Sequence, residues 1–580
     1  MSTRIDTVIR GGTIADGTGG DLFEADVAIH DGMIAAVGKR LSLQGKEEID
    51  ARGLLVTPGF VDIHTHYDAQ VTWEHRLSPS SDHGVTTVLM GNCAIGVAPC
   101  RPEHRDLLVS VIAGVEDIPE AVMLAGLEWR WESYPQYLDL LSKRQCDMDF
   151  ASQIAHSAIR VYVMGQRGAD REPARAADLA AMTALVHEAI NAGALGVSTS
   201  RTLSHRTMQG ALAPAETSSE DELLALARGL KQAQSGVFEL ISDFPDLELG
   251  GTSHFDLLRR IVRESGERML SFTVVQNPME IGGWRRLLEL IEQANAEGLP
   301  IKGQVAPRAV GMLFGHDLSF NPFSFRPSYK AVAQLPLAER IAYLRRPEIR
   351  ARILAETSAH SNPLMLWLVG LAGQMFMLED PPNYEPPAEE RIDASAQRAG
   401  RTLDEFVYDL LLEEDGHRML FLPITNYLEG SLDDTLVMMR HPHTLMGLGD
   451  GGAHCGLICD ASHPTFLLTH WVRDRKRGER LSLPWVIRKL SSEPASVIGL
   501  RDRGVIGIGY KADVNVIDLE RLRLRAPQVA YDLPANGRRI TQRAEGYVLN
   551  MVSGRITYRN GTATGTLPGR LVRGARPALH

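Results

Sequence analysis

The stretch that decides the fold is Thr57–Asp68, which reads TPGFVDIHTHYD. It contains a short apolar strand beginning at Phe60, with His64 and His66 at the end of that strand. Because side chains alternate along a strand, the two imidazoles face the same side. A bare His-Thr-His is more often a polar loop than a ligand pair. In this setting, two imidazoles at the carboxyl end of a strand predict a metal site.

Downstream of this stretch, short apolar strands alternate with helical patterns. Val85–Met90 and Leu195–Ser200 have the composition of buried strands, and Ala176–Ala192 is a clear amphipathic helix. Alternation of this kind is typical of a parallel sheet covered by helices. Since the pattern runs through most of residues 58–500, we predict an α/β protein whose core is a closed (β/α)8 TIM barrel.

Both ends of the chain consist of short strands separated by tight turns. Ala25–His30 and Met33–Val37 flank an Asp-Gly pair, which favours a hairpin. Tyr547–Ser553 and Arg555–Arg559 flank a glycine and predict a second hairpin. Chain termini often lie close together, so the two ends can form one split β domain.

These patterns predict three parts of the chain. Residues 1–57 and 501–580 form a small β sandwich, and residues 58–500 form the barrel. The strand–helix rhythm is interrupted at about 321–440, a segment rich in helix-forming residues. We interpret that segment as a helical insertion in the barrel.

The composition excludes several classes of protein. Of 580 residues, 44% are hydrophobic and 23% charged, with a net charge of -11 and no Lys/Arg-rich block, which argues against a nucleic-acid partner. No apolar run is long enough to cross a membrane. Five scattered cysteines and an N-terminus without an apolar signal core favour a reducing, cytoplasmic location. The oligomeric state is not determined by these features, and a homo-oligomer stays open.

Two further residues follow predicted barrel strands and have metal-binding chemistry. Asp450 follows the strand Thr444–Leu448, where a carboxylate can bind a metal and take a proton from water. Cys93 follows Val85–Met90 and is either a buried core thiol or a ligand. His454 lies four residues beyond Asp450. It either contacts the substrate or the residues around the metal, or it has no role in the site.

The motif PGFVDIHTH resembles the first-strand motif of the amidohydrolase superfamily. Three further segments resemble the D-aminoacylases (N-acyl-D-amino-acid deacylases): Gly91–Cys93 (GNC), Gly193–Ser198 (GALGVS) and Gly449–Gly451 (GDG). The resemblance implies a zinc-bearing TIM barrel with a β sandwich from both termini. It also implies that Cys93 is a zinc ligand and that Asp450 is the catalytic aspartate.

The resemblance and the strand pattern suggest three substrate contacts. The segment from Ala155 to Arg160 resembles the family's GHGTLR motif, which implies that His156 and Arg160 lie at the barrel mouth. Arg308 follows a predicted strand, where it either pairs with a substrate carboxylate or forms an ion pair within the protein.

The chain departs from the family at two positions. D-aminoacylases carry further zinc histidines on strands that match Gly236–Asp243 and Met269–Gln276, and neither segment contains histidine here. Glu239 and Asp243 are the hard ligands nearby. Either the remaining ligands hold one metal ion, or Glu239 or another side chain substitutes and one or two ions are bound.

Together these features predict a zinc-dependent hydrolase that cleaves the C–N bond of a small amide, first of all an N-acyl amino acid. In this reading a metal-activated water attacks the carbonyl and Asp450 is the general base. Two alternatives stay open: a cyclic amidohydrolase or deaminase on the same fold, and a degenerate barrel that binds a ligand without catalysis.

Overall fold

The computed structural model describes residues 5–247, 250–278 and 280–579, and its centre is a sheet of eight parallel strands. Each strand pairs with its neighbour in the sequence, so the order around the sheet is the order along the chain. The first to eighth barrel strands are Phe60–Thr65, Val85–Met90, Asp149–Ala155, Gly196–Arg201, Val237–Ser242, Leu270–Thr273, Ile301–Val305 and Thr444–Met446.

The segment after the eighth strand brings the two edges of this sheet together. Thr65 forms a parallel bridge with Gly451, and His66 N donates to Gly451 O at 2.8 Å. Asp450 N donates to His64 O at 3.1 Å. The predicted TIM barrel is therefore confirmed, and its closure places Asp450 beside both histidines of the first strand.

Helices cover the outside of the barrel between successive strands. Ser219 Oγ accepts a hydrogen bond from Glu222 N at 3.4 Å and caps the helix that follows the fourth strand. Among the described residues, no helix has both the length and the apolar character needed to cross a bilayer. The helices of the barrel are Gln70–Trp73, Arg105–Val115, Glu120–Gly126, Tyr134–Leu141, His156–Met164, Gln166–Ala169, Ala176–Ala192, Glu220–Ala233, Ser253–Glu264, Gly283–Ala296, Asp433–Arg440, His463–Phe466, Leu483–Leu490 and Ser492–Val497, with a π-helix at Leu467–Asp474.

The two ends of the chain share one nine-stranded sheet, as the split β domain predicts. Val514–Ile517 from the C-terminal part pairs antiparallel with Leu55–Pro58 from the N-terminal part. Alternating apolar side chains such as Ile9, Val27 and Val514 form its core. Its strands are Ile5–Ile14, Phe23–His30, Met33–Gly38, Gly45–Asp50, Leu55–Pro58, Val514–Ile517, Tyr547–Val552, Arg555–Arg559 and Thr562–Ala563.

An insertion with its own hydrophobic core separates the seventh and eighth barrel strands. It is not purely helical, because Val310–Phe314, Leu420–Thr425 and Phe376–Met377 form a small antiparallel sheet. The first of these strands lies outside the segment 321–440 that the sequence marks. Its helices are Pro327–Lys330, Leu337–Leu344, Pro347–Ala355, Pro363–Gly370, Ile392–Arg398 and Leu403–Leu411.

Candidate metal centre and active site

Four side chains from three barrel strands converge at the carboxyl end of the barrel. His64 Nε2 lies 3.2 Å from Cys93 Sγ and 3.4 Å from Asp450 Oδ1. His66 Nε2 lies 3.6 Å from the same Asp450 oxygen. We call these four residues the ligand cluster. The structure thus brings together all four residues that the sequence offers as metal ligands.

Three residues of the ligand cluster have donor atoms close enough together to share one metal ion, and Asp450 lies beside the two imidazoles. Zinc bonds of about 2.0–2.1 Å to nitrogen or oxygen and about 2.3 Å to sulfur set neighbouring ligand atoms about 3.3–3.6 Å apart. The distances of 3.4 and 3.6 Å from Asp450 Oδ1 to the two imidazole nitrogens lie in this range, and the 3.2 Å from His64 Nε2 to Cys93 Sγ is slightly shorter. Within the described part of the chain, His64, His66 and Cys93 also form the one group of such residues whose donor atoms all lie within 4.8 Å of one another.

The far nitrogen of each imidazole is held by a second residue. His64 Nδ1 lies 2.8 Å from Gln304 Oε1, and Gln304 Nε2 donates to Ser271 Oγ at 2.9 Å. His66 Nδ1 lies 3.1 Å from Glu116 Oε1. An oxygen acceptor at Nδ1 places the ring proton there and leaves Nε2 free to bind a metal. Gln304 and Glu116 therefore orient the two histidines toward the same point.

The electrostatics of this region favour a bound cation. Burial raises the pKa of the Cys93 thiol. Burial also acts to raise the pKa of Asp450, but the neighbouring histidines outweigh it and lower that pKa. Glu116 is buried, its Oε1 contacts His66 Nδ1 at 3.1 Å, and its Oε2 has no hydrogen-bond partner. A divalent ion would stabilise the thiolate and balance these buried negative charges.

Glu239 lies on the fifth strand, one of the two strands on which the sequence resemblance implies a histidine that this chain lacks. Its Oε2 accepts Cys93 N at 2.9 Å, and its Oε1 has no hydrogen-bond partner and lies 3.9 Å from His64 Nδ1. Burial raises the pKa of Glu239 to about 8. Asp243, the other candidate, instead accepts Leu203 N at 2.8 Å in the loop after the fourth strand.

Two residues of the ligand cluster sit on strained backbone. Cys93 has φ of 55° and Asp450 has φ of 46°, a region that residues other than glycine seldom adopt. Such conformations collect at functional sites, where the surrounding fold must hold them. The next residue, Gly451, packs so closely against its neighbours that a Cβ there would lie 2.4 Å from Ser80 Oγ.

His156 and Arg160 follow the third barrel strand directly, as expected, but their side chains are paired within the protein. Both are buried, and both contact Glu222, which lies on the helix after the fourth barrel strand. His156 Nε2 lies 2.8 Å from Glu222 Oε1, and Arg160 Nη1 donates to both Glu222 oxygens at 2.7 and 2.6 Å. His156 Nδ1 contacts Thr199 Oγ1 at 2.8 Å. These contacts hold a helix to the barrel, and we do not retain a substrate role for this pair.

Arg308 is also buried, and its guanidinium is paired within the protein. It is 2% exposed, forms an ion pair with Asp460 and donates to Ser462 Oγ at 3.0 Å. Its guanidinium also lies 4.0 Å from the ring centre of Tyr384. The intrachain ion pair that the sequence leaves open is therefore the arrangement found, and Arg308 is not available to a substrate.

His454 lies at the accessible edge of the site. Its Nε2 is 4.0 Å from Asp450 Oδ2, and the side chains of His454 and Asp450 are 22% and 19% exposed. His64 and His66 are 1% and 5% exposed. The accessible side of the ligand cluster is therefore the side of Asp450 and His454.

The fold and this cluster together define a metal-dependent hydrolase site on a TIM barrel. A family model described as the amidohydrolase family matches residues 47–558. The chain belongs to that family, and it is a hydrolase acting on C–N bonds other than peptide bonds.

Curated relatives cover most of the chain. The chain is 27% identical over 521 residues to the N-acyl-D-aspartate deacylase of Alcaligenes xylosoxydans xylosoxydans, covering 88% of this chain and 86% of that protein. It is 25% identical over 549 residues to the N-acyl-D-glutamate deacylase of the same organism, covering 93% and 92%. The likeness to D-aminoacylases noted in the sequence is confirmed.

Solved structures agree on the fold. A crystal structure of D-aminoacylase superposes with a TM-score of 0.64 at 23% identity, covering 98% of this chain and 100% of that chain. The N-acyl-D-glutamate deacylase of Bordetella bronchiseptica, solved with zinc and a phosphonate inhibitor, also gives 0.64, at 21% identity and the same coverage.

Proposed function

We propose that the chain hydrolyses the amide bond of N-acyl amino acids, with one divalent metal ion held by the ligand cluster. The observation that carries this proposal is the convergence of two imidazoles and a thiol whose donor atoms lie within 4.8 Å of one another, with a carboxylate oxygen 3.4 and 3.6 Å from the imidazoles. A thiolate with two imidazoles favours zinc over magnesium or calcium. The names of the two full-length relatives support the substrate class.

When bound, a divalent ion polarises the substrate carbonyl and lowers the pKa of an adjacent water. The chain's own contribution to the reaction is proton transfer and orientation. The two carboxylate oxygens of Asp450 have different neighbours. Oδ1 lies near His64 and His66, whereas Oδ2 lies near His454. One oxygen can therefore bind the cation while the other accepts and donates a proton.

Asp450 Oδ2 accepts a proton as the water oxygen bonds to the carbonyl carbon. The same proton then passes to the amide nitrogen as the C–N bond breaks, which leaves a carboxylic acid and a free amine. His454 Nε2, beside Oδ2, lies on the accessible edge and contacts the substrate. Gln304 and Glu116 keep the two imidazoles aimed at the ion throughout.

The test is a product assay on purified protein that has been stripped with a chelator and reloaded with zinc. The substrates are N-acetyl amino acids of both enantiomers, hydantoins and aminopyrimidines. We expect free amine plus acetate from the first group. Ring-opened acid would instead indicate a cyclic amidohydrolase, and ammonia a deaminase. A metal-loaded protein that is inert toward all three groups would contradict the proposal and favour a binding-only barrel.

A further inference from the structure

The fourth barrel strand directs two serines, Ser198 and Ser200, into the barrel. Ser198 Oγ accepts Ala94 N at 3.1 Å, beside Cys93. Thr199, the residue between the two serines, instead points to the outer face, where its hydroxyl contacts a helix. Side chains alternate along a strand at about 3.3 Å per residue, so Ser200 shares the inner face with Ser198 and lies about 6–7 Å nearer the carboxyl end. Ser200 therefore lies at the mouth of the barrel, above the level of Cys93.

Ser200 connects an imidazole and a carboxylate from the loop that follows this strand. Its Oγ lies 2.9 Å from His205 Nδ1 and donates to Glu216 Oε2 at 3.3 Å. Ser200 and Glu216 are buried, and His205 is half-buried. Because the hydroxyl hydrogen goes to Glu216, the serine oxygen accepts the Nδ1–H of His205. Burial lowers the pKa of His205 to about 4, so its neutral imidazole then has an unprotonated Nε2 that can accept a hydrogen bond.

The same loop is attached to the helix Arg105–Val115, whose end lies beside the ligand cluster. Met208 N donates to a backbone carbonyl of this helix at 3.2 Å. Glu116, the next residue after the helix, contacts a ligand histidine and accepts His454 N with its backbone carbonyl. Besides burial, the pKa of His205 is shifted by four charged groups in or beside the ligand cluster: Glu116, His454, His66 and Asp450. Since His205 lies between the two attachments of this loop, the contacts and the charges agree in placing it at the mouth of the barrel.

We propose that His205 Nε2 accepts the N–H of the scissile amide and that Ser200 and Glu216 hold the imidazole in the orientation this requires. This inference rests on the proposed function. The fourth and eighth strands lie on opposite sides of an eight-stranded barrel, so His205 and Asp450 approach the amide from opposite sides. The nitrogen is thus held by His205 while Asp450 delivers its proton. An ester or a tertiary amide has no N–H and would leave Nε2 unpaired, so His205 selects secondary amides.

The experiment compares an amide with its ester on the zinc-loaded full chain. The best-hydrolysed N-acetyl amino acid is assayed beside the O-acetyl hydroxy acid with the same side chain, in which oxygen replaces N–H. The assay is run at pH 8, because burial raises the pKa of Glu216 to about 7 and the hydrogen bond from Ser200 needs its carboxylate. We expect His205→Leu to lower kcat/KM for the amide about tenfold and to leave that for the ester nearly unchanged.

Three further variants test the orientation of the imidazole. His205→Gln keeps a side-chain oxygen that can accept N–H and should restore part of the loss. Ser200→Ala removes the hydroxyl but keeps the imidazole, and should give a smaller loss that is confined to the amide. Ser204→Ala, at an exposed position in the same loop, should match the native protein. Zinc per chain should be equal in all of these proteins, since none of the substituted residues belongs to the ligand cluster.

A binding measurement separates this inference from the function on which it rests. Binding of the amide and the ester is measured by calorimetry in the Asp450→Asn background, with and without His205→Leu. If the native chain hydrolyses neither compound, the proposed function fails, but weaker binding of the amide alone in His205→Leu still supports the hydrogen bond. Equal effects of His205→Leu on amide and ester, no effect on either, loss of zinc in that variant, or no binding by either protein would overturn the role of His205.

Discussion

Asp450 Oδ1 lies 3.4 Å from His64 Nε2, although the two residues come from the last and first strands of the barrel. Asp450 N also donates to His64 O at 3.1 Å, so the backbone contact that closes the barrel holds the Asp450 side chain beside His64. The geometry of the metal centre is thus a consequence of barrel closure.

The first prediction concerns the proton carrier. Asp450→Asn removes the basic oxygen but keeps the shape of the side chain, so turnover should fall by about 10²–10⁴-fold. Steady-state kinetics and metal content per chain are measured on the same samples. Two imidazoles and a thiol remain, so much of the metal should stay bound. Near-native turnover in the variant would remove Asp450 from the mechanism.

The second prediction concerns the residue that orients His66. Glu116→Gln replaces the carboxylate 3.1 Å from His66 Nδ1 with a neutral amide, which should weaken metal binding by about 10–100-fold. Glu120→Gln is the matched control, because Glu120 is exposed a few residues further along. Competition with a chromogenic chelator measures both affinities. Equal affinities would mean that Glu116 does not support the centre.

The third prediction tests Cys93 as a ligand. Cobalt substituted for zinc gives a near-ultraviolet sulfur-to-cobalt charge-transfer band only when a thiolate binds the ion. The band should be present in the native chain, absent in Cys93→Ser and present in Cys100→Ser, since Cys100 is a buried thiol outside the cluster. A band that survives in Cys93→Ser would exclude Cys93 as the sulfur ligand.

The fourth prediction concerns stability against acid, away from the active site. Burial acts to raise the pKa of Glu385, but hydrogen bonds from His470 and Arg475 outweigh it and lower the pKa to about 2. A carboxyl with a lowered folded pKa stabilises the fold above its unfolded pKa of about 4.3, and this contribution is lost as the pH falls toward 2.

Glu385→Gln should therefore lower the apparent Tm at pH 7 by a few degrees, and the difference should shrink as the pH falls from about 4.3 toward 2. Thermal unfolding followed by circular dichroism over this pH range measures it. Glu389→Gln is the control, because that side chain is exposed in the same segment. A difference that stays constant down to pH 3 would contradict the assigned role of the charge.

Helices, strands and hairpins with a clear local pattern could be predicted from the sequence. The helix Ala176–Ala192 has the bounds that its amphipathic pattern predicts. His64 and His66 are recognisable because their spacing on a strand already fixes their common direction. The split β domain could be anticipated because hairpin signals occur at both ends of the chain.

Contacts that form only through tertiary packing could not be predicted from the sequence. Nothing near Glu116 or Gln304 in the sequence indicates that these residues reach the imidazoles, since each comes from a different part of the barrel. The pairing of His156 and Arg160 was not foreseen for a related reason. Glu222, the carboxylate that contacts both side chains, lies on a helix after the following strand.

The most direct test of the central claim is the metal content of the purified chain, measured by plasma mass spectrometry after dialysis against zinc. The account predicts about one zinc ion per native chain. A chain with both His64→Ala and His66→Ala should hold almost none, while His417→Ala, an exposed control, should match the native protein. Equal zinc in the native and doubly substituted chains, or none in the native chain, would contradict the account.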